Sequence, residues 1–162
     1  MSAVVSDTSP LQYLIQSDAV NVLSAIFGEV VIPAAVYKEI QHSRTPADVR
    51  AWAASLPSWA IVQKATLLKN LPQIDEGERE AISLALEINA PFLLIDDRRG
   101  RLEAMRLGLQ VTGTIGILEI AARKDLLKFS EAIEKLRKTG ARIGEDLIES
   151  AWVRVYGKKP TA

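Results

Sequence analysis

The chain has 162 residues, and its 20 basic and 20 acidic side chains give a formal charge of zero. No global positive field favours nucleic acid, so such a partner would have to bind a local patch. The chain contains no cysteine and a single histidine, His42. This composition excludes thiol nucleophiles, thiolate metal sites and disulfides, leaves too little histidine for a multi-histidine site, and fits a reducing, cytoplasmic environment. Carboxylates remain as the groups for catalysis or metal binding.

The length and the 48% hydrophobic content predict one domain with a sizeable core, over residues 1–157, followed by a frayed tail at 158–162. No apolar run reaches the roughly 18 residues that span a bilayer. Met1 leads directly into a strand-like run and not into a signal peptide. We therefore expect neither membrane insertion nor export.

Strand-like runs of apolar and β-branched residues alternate with helix-like segments that open on proline or on capping residues. In chain order, the predictions are strand 3–6, helix 10–16, helix 18–27, strand 29–32, helix 34–41, helix 45–56, strand 59–62, helix 75–88, strand 92–95, helix 98–107, strand 110–111, and helices 113–126, 129–138 and 144–153.

Strands that alternate with helices predict a parallel sheet, because each parallel connection must cross a face of the sheet. The fold class is therefore α/β, a three-layer α/β/α sandwich with a central, mainly parallel sheet of four to five strands. Runs 3–6 and 92–95 lack polar alternation, as is typical of central strands covered on both faces. If these strands are neighbours, Asp7 and Asp96 lie side by side at the carboxyl edge of the sheet, where ligands bind in such folds.

Five acidic residues are candidates for a site at this edge: Asp7, Glu39, Glu78, Asp96 and Asp97. Each also has a local explanation. Asp7 and Asp97 suit the start of a helix, Glu78 completes a capping pattern with Asp75, and Glu39 is compatible with a solvated position beside Lys38. Several carboxylates in one place raise one another's pKa and destabilise the fold unless a cation neutralises them, and hard ions such as Mg²⁺ bind carboxylates and water. Such ions activate water and stabilise charge at a phosphodiester without histidine or cysteine.

Four segments in this order resemble the PIN-domain family, and most of all its prokaryotic branch of VapC-type toxin nucleases: 5–11 (VSDTSPL), 32–40 (IPAAVYKEI), 77–85 (GEREAISLA) and 94–101 (LIDDRRGR). The resemblance implies a metal-dependent ribonuclease fold. Asp7 matches the first-strand aspartate of the family, Glu39 the glutamate of the early helix, and Glu78 the acid that opens the central helix. Ser9 matches a small hydroxyl residue that supports the pocket.

Two departures from the family pattern concern Glu78 and the pair Asp96 and Asp97. Ile95 occupies the place of a common threonine, which leaves open whether Asp96 or Asp97 matches the aspartate after the fourth strand. Glu78 replaces the usual aspartate and is longer by one methylene, which would shift or weaken the metal.

The function predicted from this resemblance is a Mg²⁺- or Mn²⁺-dependent endoribonuclease that hydrolyses RNA, as the toxin-like component of a toxin–antitoxin pair. The expected metal ligands are Asp7, Glu78, Asp96 and Asp97, and Glu39 is a ligand or orients water. Substrate-binding residues would be Ser9, Arg98, Arg99 and Arg101, since arginine suits bidentate contact with phosphate. Relatives of this kind also lead us to expect a cytoplasmic homodimer and a small antitoxin partner.

Two other classes of function remain open. One is a non-catalytic PIN-like module that binds RNA or protein. The other is a different Mg²⁺-dependent phosphoryl-transfer protein of α/β type. A phosphatase with an aspartate nucleophile would want a second acid where Ser9 stands, and a receiver domain would want an acidic pair on its first strand.

Overall fold

The structure, a computed structural model, describes residues 3–161 of the chain. Met1 and Ser2, which the predicted domain includes, and Ala162, which the predicted tail includes, lie outside the described residues. Five parallel strands form one sheet in the order β3-β2-β1-β4-β5. The strands are β1 (Val4–Ser6), β2 (Val30–Pro33), β3 (Ala60–Gln63), β4 (Leu93–Leu94) and β5 (Val111–Thr112).

Nine helices occur within residues 3–161. They are α1 (Thr8–Gln16), α2 (Val22–Phe27), α3 (Ala34–Ile40), α4 (Ala47–Ala54), α5 (Glu76–Glu87), α6 (Arg98–Arg106), α7 (Thr114–Arg123), α8 (Phe129–Arg137) and α9 (Glu145–Tyr156). None of these helices is long and apolar enough to cross a membrane.

The sheet separates two hydrophobic cores, because neighbouring residues of a strand point to opposite faces. Val4 and Leu94 belong to the core that contains α1, α7 and the C-terminal helices, whereas Val5 and Leu93 belong to the core under α5. The predicted α/β class and parallel sheet are therefore confirmed, and the sheet has five strands.

The two strands predicted to be central are direct neighbours. Val5 of β1 pairs in parallel with Leu93 of β4, and Ser6 pairs with Leu94. All three residues of β1 and both residues of β4 are buried. This pairing brings the segments that follow β1 and β4 to one edge of the sheet.

Some helix boundaries differ from the sequence predictions. Helix α1 begins at Thr8, two residues earlier than expected from Pro10. Helix α2 is much shorter than the predicted helix 18–27, because Asp18 adopts a positive φ of 59° and interrupts the helical path. Helix α9 extends to Tyr156. The rings of Tyr156 and Trp152 both pack edge to face against Phe129 of α8.

Candidate active site

Asp7 and Asp96 lie at the carboxyl edge of the sheet. Asp7 directly follows β1, and its backbone N–H donates to the carbonyl oxygen of Leu94 at 2.8 Å. Asp96 lies two residues beyond Leu94, at the end of the neighbouring strand. The side chain of Asp7 is buried, with only 4% of the residue exposed, and it makes no capping hydrogen bond to α1. The helix-cap explanation of Asp7 is therefore not supported.

Helices α3 and α5 bring two further acids to the same edge. Glu39 in the last turn of α3 accepts a hydrogen bond from the Thr8 hydroxyl at 2.8 Å, which ties α3 to the start of α1 beside Asp7. A Cβ atom at Gly77 would lie 3.2 Å from Glu39 Oε2 and 3.7 Å from Asp75 Oδ1. Glycine at this position therefore lets both carboxylates approach the backbone of α5.

Glu78 lies next to the first turn of α6. A Cβ atom at Gly100 would be 2.7 Å from Ile95 Cδ1 and 3.3 Å from Glu78 Oε2, so the missing side chain leaves room for the buried Ile95 and for this carboxylate. Asp97 caps α6, since its Oδ2 accepts from the Gly100 N–H at 2.9 Å. Asp75 caps α5 in the same manner through the Glu78 N–H at 2.8 Å. Two helix N-termini thus place their capping acids around Glu78.

Asp96 is held by the turn between β5 and α7. Its Oδ1 accepts from the Thr114 N–H and its Oδ2 from the Thr114 hydroxyl, both at 2.7 Å. A Cβ atom at Gly113 would lie 2.5 Å from Asp96 Oδ1, so this position requires glycine. Arg101 lies on the same side and donates from Nη1 to the Ile95 carbonyl oxygen at 2.9 Å.

The negative charges of three other acids affect the pKa of Asp7. Burial first, and then the charges of Asp75, Glu39 and Asp96, together raise the pKa of Asp7 from 3.8 to about 7, against a lowering effect of the Thr8 N–H. An ionised Asp7 is therefore costly at neutral pH.

Glu78 is part of the same electrostatic cluster. Burial, followed by the charges of Asp75, Asp7 and Asp97, raises its pKa from 4.5 to about 8. Burial also raises the pKa of Asp96, although its hydrogen bonds with Thr114 and the nearby charge of Arg101 lower it. We call the six residues that these interactions connect the acidic pit: Asp7, Glu39, Asp75, Glu78, Asp96 and Asp97.

Comparison with known proteins identifies the family to which this arrangement belongs. The family model DUF3368, described as a PIN domain, matches residues 3–156. The chain belongs to the PIN-domain family. Members of this family are generally nucleases and typically use divalent metal ions. The resemblance seen in the sequence is thus confirmed for the family.

A solved structure supports the PIN fold. The chain is similar to a PilT N-terminus domain protein, SSO1118, from the hyperthermophilic archaeon Sulfolobus solfataricus P2, with 21% sequence identity and a TM-score of 0.51. The alignment covers 72% of this chain and 90% of that protein. A search of the curated proteins finds no match.

The chemistry of this PIN site suits a hard divalent cation that keeps much of its water. No three acidic or histidine side chains within residues 3–161 are arranged to hold a metal ion as they stand. All the available donors are carboxylate oxygens, and Mg²⁺ commonly binds one or two carboxylates and completes its shell with water. Asp7 and Glu78 have raised pKa values because of burial and neighbouring carboxylates, so a cation would stabilise their charged forms.

The predicted substrate-binding residues lie in different surroundings. Arg98 and Arg99 line a cavity of about 590 Å³ together with three acids of the pit. Arg101 is partly buried and donates to the Ile95 carbonyl oxygen. It borders a separate cavity, which Asp96 also lines. Ser9 lies partly buried in the first turn of α1. Their roles in binding RNA stay predictions.

Sequence reasoning did not include Asp75, Thr8 and Thr114 among the site residues. Asp75 was interpreted only as a cap of α5, which it is, but its charge also acts on Asp7 and Glu78. Thr114 follows β5 closely, so the rule that sites form at the carboxyl ends of parallel strands could have identified it. Thr8 had no such signal, because its partner Glu39 is 31 residues away.

Proposed function

We propose that this PIN-domain protein is a Mg²⁺- or Mn²⁺-dependent endoribonuclease that cuts RNA at the acidic pit. The observation that carries the proposal is the convergence of carboxylates from different elements at one edge of the sheet, where burial and neighbouring acids raise the pKa values of Asp7 and Glu78 to about 7 and about 8. Such an arrangement destabilises the fold of the protein alone and suits a protein that binds a cation between its carboxylates.

Asp7 and Glu78 are the proposed direct metal ligands, and Asp96 and Asp97 complete the set. Oδ2 of Asp97 caps α6, whereas its Oδ1 accepts no hydrogen bond from residues 3–161, so it is available to a metal or to a metal-bound water. Both oxygens of Asp96 are engaged by Thr114, which favours a contact through water. A bound divalent ion supplies an activated water and stabilises charge at the phosphodiester.

Glu39 has the proposed role of orienting the attacking water. Its Oε2 is held by the Thr8 hydroxyl, while Oε1 accepts no hydrogen bond within residues 3–161. One oxygen therefore fixes the side chain and the other remains available to accept a proton. Arg98 and Arg99 at the rim, with Ser9 at the start of α1, would bind the phosphates of the RNA.

The biological role that we propose is that of the toxin-like component of a toxin–antitoxin pair, in the cytoplasm, as a homodimer with a small antitoxin. The support for this role is the resemblance of segments 5–11, 32–40, 77–85 and 94–101 to VapC-type proteins. Induced expression of the wild-type chain would arrest bacterial growth, and the D7N variant would not. Growth arrest by both proteins would contradict a nuclease toxin.

A non-catalytic PIN module that binds RNA or protein is the second candidate. It is favoured by one observation, namely that no three of the described acidic and histidine side chains are already arranged to hold a metal. In that case the carboxyls of Asp7 and Glu78 would remain protonated, and no cation would be needed to stabilise the fold.

Metal titration with a labelled RNA separates the two candidates. We expect cleavage that depends on Mg²⁺ or Mn²⁺, and its loss by at least a hundredfold in Asp7→Asn and Glu78→Gln. Asp48→Asn, which changes an exposed acid in the first turn of α4, is the matched control and keeps full activity. RNA binding without cleavage at any metal concentration would favour the non-catalytic module. Formation of an acyl phosphate on Asp7 would instead indicate phosphoryl transfer.

A further inference from the structure

A second cavity, of about 330 Å³, adjoins the cavity over the acidic pit. Residues 70–74 line one side of it, and α6 lines the other through Arg99, Glu103 and Arg106. Gln73 and Arg99 border both cavities, so the two are direct neighbours on the surface. We call the second cavity the α6 groove. Its volume lies at the lower end of the range of small-ligand sites.

The wall formed by residues 70–74 belongs to an irregular segment that α5 fixes in place. Backbone N–H groups of this segment donate to three side chains of α5: Ala65 to Glu80 at 3.1 Å, Thr66 to Glu87 at 2.9 Å, and Lys69 to Ser83 at 2.9 Å. Leu71 and Ile74 are buried in the core under α5. This wall of the α6 groove is therefore preformed in the protein without a ligand.

The same wall presents two amide side chains to solvent. Asn70 and Gln73 are exposed, and neither side chain makes a hydrogen bond with another part of residues 3–161. An amide carries both a donor and an acceptor, which is the combination that reads the edge of an unpaired base. The ring of Pro72 lies between them and offers an apolar surface.

The opposite wall carries the positive charge. Arg99 is exposed and forms no ion pair among the described residues, and Arg106 pairs only with Glu103, through Nε at 2.7 Å. The terminal nitrogens of Arg106 remain available to an anion. The α6 groove, with two arginines and Glu103, is thus net positive, whereas the adjoining cavity has three carboxylates and two arginines and is net negative. A phosphodiester chain with one phosphate at the pit would place its next phosphate in the groove, away from those carboxylates.

We propose that the α6 groove binds the nucleotide next to the cleaved phosphate of a single-stranded RNA, with Arg99 and Arg106 on its phosphate and Asn70 and Gln73 on its base. This inference rests on the proposed function and adds a residue set that selects the base at one position beside the cleavage site. The base must be unpaired, because pairing would hide the edge that the amides contact.

The test is equilibrium binding of fluorescent RNA octamers A8, C8 and U8 to the full chain in EDTA, over a series of salt concentrations. R99A/R106A would weaken binding at least tenfold and make the slope of log K against log[salt] shallower by about 0.7, since the two arginines contact one phosphate and each phosphate neutralised on a single strand contributes about 0.7. N70A/Q73A would keep the slope and reduce the affinity ratio between the best and worst octamer at least threefold. All four residues are exposed, so these variants should fold.

R123A/K124A at the far end of α7 is the control and should change neither quantity. The phosphate part of the inference is overturned if R99A/R106A leaves the salt slope unchanged, and the base-reading part if N70A/Q73A leaves the affinity ratio unchanged. Equal binding of A8 and an A8–U8 duplex, or no octamer binding by the wild type, overturns the whole inference. Because binding is measured in EDTA, failure of the proposed nuclease function appears separately, as wild-type protein that binds octamers but cleaves no RNA with Mg²⁺ or Mn²⁺.

Discussion

The buried carboxylate of Asp7 destabilises the folded protein when it is ionised. A residue that is kept at such a position is there for function and not for stability. Asp7 is 4% exposed, makes no capping bond, and has carboxylates for neighbours. An aspartate needed only to start α1 would accept a capping hydrogen bond from a backbone N–H of the first helical turn, as Asp97 does from Gly100 in α6. Burial near other acids is instead what metal binding requires.

Asp7→Asn should stabilise the metal-free protein at alkaline pH. The folded-state pKa of Asp7, about 7, lies above the unfolded value of 3.8, so protonation favours the folded state at low pH and this advantage is lost as pH rises through 7. The variant does not titrate, so it should exceed the wild type by about 1–3 kcal/mol at pH 8 in EDTA and match it near pH 4. Thermal unfolding at both pH values measures this difference. A variant that is less stable at pH 8 would show that Asp7 is a structural residue.

Thr114→Val tests how Asp96 is held. The substitution keeps the buried shape of Thr114 but removes the hydroxyl that donates to Asp96 Oδ2 at 2.7 Å. We expect a loss of about 1–3 kcal/mol in the free energy of unfolding by urea, a further rise in the pKa of Asp96, and slower RNA cleavage. Thr114→Ser keeps the hydroxyl and should retain more cleavage activity. Equal cleavage by the two variants would mean that the hydroxyl does not position Asp96.

At the scale of elements, helix ends determine where the acids meet. Asp75 and Asp97 cap α5 and α6, and the glycines at 77 and 100 in their first turns make room for Glu39 and Glu78. The sequence predicted the caps, because capping depends on residues three positions apart. The positions of these glycines against neighbouring carboxylates depend on how α3, α5 and α6 pack, which no local pattern contains.

The hydrogen bonds of Glu80 with distant residues could not be predicted from the sequence either. Glu80 is 5% exposed on α5, and it accepts from the Ala35 N–H at 2.7 Å and from the Ala65 N–H at 3.1 Å. These partners lie 45 and 15 residues away in the chain, so spacing alone could not reveal them. Glu80 joins the start of α3 to the segment after β3, and thereby supports one wall of the α6 groove.

Glu80→Ala should therefore destabilise the whole domain. The substitution leaves one buried backbone N–H group, of Ala65, and one partly buried group, of Ala35, without acceptors, and we expect a loss of about 2–4 kcal/mol in the free energy of unfolding by urea. Glu80→Gln keeps one good acceptor and should lose about half as much. Glu76→Ala, at an exposed position in the same helix, is the control and should change stability by less than about 1 kcal/mol. A Glu80→Ala loss as small as that of the control would remove Glu80 from this structural role.

At the scale of the whole molecule, the order β3-β2-β1-β4-β5 explains why the candidate site lies where it does. The chain reverses its direction of growth across the sheet at β1 and β4, and ligands in such sheets bind at the carboxyl ends beside this point. Runs 3–6 and 92–95 allowed both strands to be predicted as central, because they lack polar alternation. Their pairing is a finding of the structure. The position of the Arg101 guanidinium could not be predicted, because it lies against Gly113 of the turn after β5, where a Cβ atom would be 3.1 Å from Nη1.

Anomalous diffraction from a crystal of the wild-type protein soaked in Mn²⁺ would show whether the acidic pit binds a cation. If the acidic pit exists to hold a cation, a peak will appear about 2–2.5 Å from carboxylate oxygens of both Asp7 and Glu78. The same soak of an Asp7→Asn crystal should reduce or remove the peak. Fully soaked crystals with no peak at the pit, or with a peak bound only to acids elsewhere on the surface, would contradict the metal-dependent nuclease.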